Sequence, residues 1–135
     1  MTGTKEGKKD KGTEEGTMDE ETTDLVQYLI IRKDLGWPLG AMIAQGAHAA
    51  VAATEMFRDD LATRVYLESL ETMHKIVLGI DGERQLTDLG EVLAAKDVKH
   101  YCWREQPENI PTVIALKPYN RKKVNSLFRK LKLLS

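Results

Sequence analysis

Two polar side chains stand out in a segment otherwise built from small residues: Gln45 and His48, within Leu39-Gly40-Ala41-Met42-Ile43-Ala44-Gln45-Gly46-Ala47-His48-Ala49-Ala50-Val51-Ala52-Ala53. A helix over this run puts residues three apart on one face, so the amide and the imidazole are displayed together near its start. Imidazole is the side chain best placed to move a proton near neutral pH, and a neighbouring amide could orient a water or a substrate carbonyl. Spacing alone leaves the ordinary readings open, His48 as a buried ring bonded to a carbonyl and Gln45 as an exposed helix-surface residue. Gly40 and Gly46 each cost about 1 kcal/mol against Ala in a helix interior. Close approach of another backbone or a ligand is the expected compensation.

Few other residue types in the chain carry chemistry. Asp34 closes an apolar run, and the carboxyl ends of parallel strands face the ligand crevice in open α/β sheets; a turn or cap role fits it equally. Cys102 has no partner for an internal disulfide, and its neighbours Tyr101 and Trp103 predict a buried, inert thiol. His74 and His100 make no zinc-like spacing with it, so no metal site is expected. There is no P-loop, no Gly-x-Gly-x-x-Gly fingerprint and no Gly-x-Ser-x-Gly elbow, which removes sequence support for nucleotide hydrolysis, dinucleotide cofactors and serine-hydrolase chemistry. No cofactor is expected.

The elements that must position these residues follow from periodicity. Leu25-Val26-Gln27-Tyr28-Leu29-Ile30-Ile31 is a nearly continuous apolar run rich in strand formers, which suits a central strand covered on both faces. The helix carrying Gln45 and His48 should fade near Phe57. Asp59 or Asp60 can cap a second helix containing Val65, Tyr66, Leu70 and Met73. A second strand, Lys75 to Ile80, is then reached by the long crossover that parallel pairing requires. Leu86, Leu89, Gly90 and Leu93 predict a third helix ending before Lys96, Val98 to Arg104 a third strand, and Thr112 to Lys117 a fourth, antiparallel to it across a short link. Pro118 should end the sheet. Asn120 should cap a last helix with an apolar stripe of Val124, Leu127, Phe128 and Leu131. The expected fold is an α/β, three-layer α/β/α sandwich with a four-stranded mixed sheet, in the order β-α-α-β-α-β-β-α.

With 135 residues and 41% hydrophobic content, one modest core is expected. No apolar run approaches the roughly 20 residues a spanning helix needs, and the first residues are polar and mixed in charge, so the expectation is a cytoplasmic protein without a membrane partner. Residues 1–24 hold four lysines against eight acids and almost nothing apolar, which predicts a disordered charged tail, open to a protein partner, ahead of a folded unit at 25–135. The folded unit is mildly basic. From Lys117 to Ser135 there are seven Lys or Arg and no acid, a run readable as a solvated helix face or as a polyanion-binding surface. Nothing in the composition chooses between monomer and homodimer.

The residues also carry a family likeness. The strand end Leu29-Ile30-Ile31-Arg32-Lys33-Asp34-Leu35, then Gly40, Ala44-Gln45 and His48-Ala49-Ala50, resembles the opening motif of the type 2 peptidyl-tRNA hydrolases. Thr112-Val113-Ile114-Ala115-Leu116-Lys117-Pro118 resembles that family's last strand, and Trp37-Pro38 with Glu105 to Ile110 resembles a divergent branch, the peptidyl-tRNA hydrolase domain-containing proteins. The resemblance implies hydrolysis of the ester between a peptide and the terminal ribose of tRNA, without a metal, with tRNA as partner. It implies His48, Gln45, Thr112 and Glu105 as the catalytic groups, Thr112 donating to an oxyanion and Glu105 standing nearest the family's loop aspartate. Arg32, Lys33, Lys117, Arg121, Lys122 and Lys123 are the corresponding candidates for tRNA binding. The chain departs from the pattern at Leu39 and Ala41, where the family keeps lysines, and lacks the Gly-Arg-Thr-Gln run of the loop. Those departures predict weak or absent hydrolysis with binding retained, and leave open a catalytically impaired binding module of the same fold.

Overall fold

The computed structural model describes residues 18–135. Most of the expected tail therefore lies outside the described residues; its end forms a short helix α1 (Met18–Thr22), and Asn120 Nδ2 donates to the Glu20 carbonyl at 2.9 Å. The chain continues as β1 (Leu25–Arg32), α2 (Leu39–Met56), α3 (Leu61–Glu68), β2 (Lys75–Ile80), α4 (Glu83–Ala95), β3 (His100–Glu105), β4 (Ile110–Leu116), β5 (Tyr119–Asn120), α5 (Arg121–Val124) and β6 (Lys132–Leu133). The sheet is mixed, with order β3-β4-β1-β2-β6 and β5 beside β1. Strand β1 is parallel to β2 and antiparallel to β4.

The continuous apolar character of β1 has the expected cause. Its even residues Val26, Tyr28 and Ile30 join Leu86 and Leu93 of α4, with Val124 and Phe128, in one core cluster. Its odd residues Leu29 and Ile31 join Ala49, Ala50 and Ala53 of α2 in another. Helices thus cover both faces. Gln27, fully buried within β1, joins these parts through polar bonds: its Nε2 donates to the carbonyls of Ala50 (3.3 Å) and Leu116 (3.0 Å), and its Oε1 accepts from Lys75 Nζ (2.6 Å). A buried amide is tolerated only when its groups are paired in this way.

The small residues of α2 let it sit close to β1. A Cβ on Gly46 would lie 3.5 Å from Ile31 Cδ1, ordinary van der Waals contact, and Ala49 and Ala53 are fully buried.

Several expectations need correction. The sheet has six strands among the described residues, not four. Pro118 does not end it, because the chain pairs again with β1 as β5, Asn120 opposite Leu25. The apolar stripe after Asn120 is not one long helix. Asn120 does cap α5, accepting from Lys122 N at 2.9 Å, but α5 gives way to a 3₁₀ turn at Asn125–Phe128. The chain then leaves to pair Leu133 with Leu78 as β6, covering otherwise open main-chain groups at the edge of β2. Val124 and Phe128 still bury, so the stripe meets the core by a different path. Strands β3 and β4 are displaced by one or two residues from their expected limits. Cys102 is exposed, because β3 is the outer strand and this residue points away from α2.

Candidate active site

Three elements converge where β1 ends and α2 begins. Helix α2 supplies Gln45 and His48, the end of β3 supplies Trp103 and Glu105, and the start of β4 supplies Thr112. Alternation along β3 puts Tyr101, Trp103 and Glu105 on the face toward α2, and the first two pack against its cluster.

Gln45 is 2% exposed and Thr112 fully buried, and Thr112 Oγ1 donates to Gln45 Oε1 at 2.8 Å. Gln45 is therefore not a surface glutamine. The bond occupies its carbonyl oxygen and leaves its NH₂ for Glu105. Trp103 Nε1 donates to Glu105 Oε1 at 3.0 Å. Hydrogen bonds from Trp103 and then Gln45, with the nearby charge of His48, hold the Glu105 carboxyl below its ordinary range against a smaller opposing desolvation. Glu105 is consequently a carboxylate at neutral pH. His48 is exposed, not buried against a carbonyl, and its ring stacks on Trp103 with centroids 4.6 Å apart and planes 17° apart. An accessible imidazole and an accessible carboxylate thus stand together, backed by a buried amide and hydroxyl.

Arg32 and Asp34 are adjacent but engaged elsewhere. Arg32 Nε and Nη2 meet both Asp34 oxygens, at 3.0 and 2.9 Å, and Nη1 donates to the Pro111 carbonyl at 3.0 Å. This planar, two-pronged pairing lowers the Asp34 carboxyl, and the bond to Pro111 ties the end of β1 to the start of β4. Lys33 is half exposed and lies 3.3 Å from Asp81.

The remaining basic candidates are at the other end of the sheet. Lys117 stands five positions beyond Thr112, about 17 Å along an extended strand. Lys117 is 6% exposed, its Nζ 2.9 Å from the Pro118 carbonyl, 3.6 Å from Asp60 and 3.9 Å from the Tyr119 ring centroid. Burial pushes its ammonium down, opposed by Asp60. Arg121, Lys122 and Lys123 are exposed beside it. A surface depression of about 630 Å³ lies here, lined by Asp60, Lys99, Lys117, Tyr119, Lys122 and Lys123 among others, away from His48.

Leu39 and Ala41 open α2, and Leu39 is 76% exposed. Among the described residues no group of three His, Cys, Asp or Glu could hold a metal ion, and no helix is long and apolar enough to cross a membrane.

The sequence profile of the family described as Peptidyl-tRNA hydrolase PTH2 matches residues 25–134. The chain belongs to that family. Its relatives include the mouse and human proteins named "Putative peptidyl-tRNA hydrolase PTRHD1", each 46% identical over 114 residues that cover 81% of this chain and 81% of theirs. The "Probable peptidyl-tRNA hydrolase 2" of Dictyostelium discoideum is 31% identical over 122 residues, covering 85% of this chain and 57% of that protein. Higher identity to the first pair accords with the divergent branch indicated by Trp37-Pro38 and the Glu105 to Ile110 link.

The sequence candidates His48, Gln45, Thr112 and Glu105 are brought together, whereas Lys117, Arg121, Lys122 and Lys123 are not joined to them. Trp103 is the member that residue-by-residue reading missed. Its signal was available: a tryptophan two positions before Glu105 on a strand shares that residue's face.

Proposed function

We propose that the protein hydrolyses the ester joining a peptide to the terminal ribose of tRNA, at a rate limited by the loss of cationic groups at Leu39 and Ala41. The observation that supports this reading best is the exposed His48 beside the ionised Glu105, with Gln45 and Thr112 buried behind them. His48 takes a proton from the attacking water as its oxygen bonds to the ester carbonyl carbon. The Glu105 carboxylate stabilises the imidazolium. On collapse of the tetrahedral intermediate the carbon to ribose-oxygen bond breaks and the imidazolium returns the proton to that oxygen, giving a free peptide and tRNA. Thr112 acts by holding Gln45, since its hydroxyl proton is directed there and away from an oxyanion. Residues 25–135 form the catalytic unit in this reading. The exposed cations Arg121, Lys122 and Lys123, with Lys33, meet tRNA phosphates, while Arg32 braces the site.

A second reading, tRNA binding without turnover, is favoured by Leu39 and Ala41. A single-turnover assay with the protein in excess over peptidyl-tRNA separates the two. Slow cleavage that falls about 100-fold in His48→Ala is expected, in line with the contribution of a general base. Tight binding with no cleavage above background would overturn the hydrolase reading and leave the binding module.

A further inference from the structure

We propose that Trp103 is a positioning residue that couples the exposed imidazole and the half-buried carboxylate of the site, fixing the Glu105 carboxylate with its indole N–H and the His48 ring with its face. The inference rests on the hydrolase reading for its consequence in rate, but the coupling itself is a property of the free protein.

Glu105 ends an outer strand and is followed by an exposed four-residue turn, Gln106 to Asn109. A glutamate there keeps most of its rotamer freedom unless something holds it. Trp103, two residues back on the same face, donates Nε1–H at 3.0 Å to Oε1. Indole nitrogen is a donor only, so this contact can be made to the carboxylate oxygens in one sense and cannot reverse. Gln45 and His48, both from α2, are the other groups that act on the carboxyl.

The same indole meets His48 across the gap between α2 and β3. With planes 17° apart and centroids 4.6 Å apart, the imidazole is set nearly parallel to the indole face, and that face carries the negative end of the ring quadrupole. A proton arriving on His48 therefore finds both a π face and a carboxylate, the first beneath it and the second held nearby by the first. One side chain thus sets the orientation of both partners, although they belong to different elements. Trp103 itself is pinned by Tyr101, at 6.4 Å between centroids, and by its packing on the α2 cluster.

Two substitutions in the full chain divide the contacts. Trp103→Phe keeps a ring under His48 and deletes the N–H; Trp103→Leu deletes both. Carboxyl titrations followed by NMR should show the Glu105 midpoint rising in both variants, while the ring-current displacement of the His48 proton resonances should persist in Trp103→Phe and collapse in Trp103→Leu. In single-turnover hydrolysis the rate should drop about tenfold in Trp103→Phe and further in Trp103→Leu, while the affinity for peptidyl-tRNA stays within twofold, as expected of lost orientation and not lost binding. An unchanged Glu105 midpoint with unchanged His48 resonances in both variants would overturn the coupling. Absence of hydrolysis in the unmodified protein would instead overturn the proposed reaction, and the titrations would still decide the role of Trp103.

Discussion

Thr112 and Gln45, 67 residues apart in sequence, share a buried hydrogen bond of 2.8 Å that ties the first residues of β4 to the second turn of α2. Neither side chain reaches solvent. The bond explains why a polar pair is kept inside: it orients the amide that faces Glu105. Thr112→Val should leave the Gln45 carbonyl oxygen unpaired and lower stability by about 1 to 3 kcal/mol. Chemical denaturation would measure the loss, and Gln45→Leu combined with Thr112→Val should cost less than the two single changes added together. Strict additivity would show that the bond is not energetically significant.

The face of α2 turned toward β1 should reject bulk, whereas its outer face should accept it. Ala50 is buried and Ala47 is exposed. Ala50→Leu should destabilise by about 1 to 3 kcal/mol through overpacking, and Ala47→Leu should be nearly neutral. Gly46→Ala is expected to stabilise by up to about 1 kcal/mol, because its new methyl meets Ile31 and Leu29 at 3.5 and 3.8 Å without a clash. Melting curves of the three variants test the orientation of the helix.

The Arg32–Asp34 pair makes stability depend on acid pH. The Asp34 carboxyl titrates lower in the folded chain than in the unfolded one, first because Arg32 hydrogen-bonds to it. Its contribution is complete above the ordinary carboxylate range and is lost as pH falls through the lowered folded value. Asp34 is 42% exposed at the side chain, so solvent screens the pair. A difference of no more than about 1 kcal/mol between the protein and Asp34→Asn is expected at neutral pH, shrinking toward zero in acid. A difference that is constant with pH would refute the assignment.

Exposed cations at the Lys117 end of the sheet should make tRNA binding salt-sensitive. Each phosphate contact releases condensed counterions, so log K falls linearly with log salt. Replacing Arg121, Lys122 and Lys123 together by Gln should weaken binding and flatten that slope. The Tm should hold, since all three are exposed. An unchanged slope would move the RNA surface to another part of the molecule.

Restoring positive charge at the head of α2 should raise the hydrolytic rate. Leu39 is 76% exposed, so a lysine fits there without displacing anything. Donors aimed at developing negative charge are worth roughly 10² to 10³ in rate where they are well placed. Leu39→Lys is expected to recover part of that in single-turnover assays. No gain from either Leu39→Lys or Ala41→Lys would show that the cause of slow turnover lies away from this helix end.

What could be read from the chain alone was what local periodicity encodes. The unbroken apolar run of β1 announced a strand covered on both faces, and the small residues of α2 announced close packing. The three-residue spacing put Gln45 and His48 near one another, and Asn120 capped the helix it was expected to cap. Two-residue strands such as β5 and β6 are too short to show alternation, so only the folded chain revealed them. Partnerships across elements were equally hidden, because they depend on strand register and on how α2 crosses the sheet. Those relations decided that Thr112 turns to Gln45, that Trp103 lies beneath His48, and that Arg32 is held by Asp34 and Pro111. They also decided that Lys117 sits at the far end of β4 from Thr112, since a strand carries its two ends about 17 Å apart however similar their roles look in sequence.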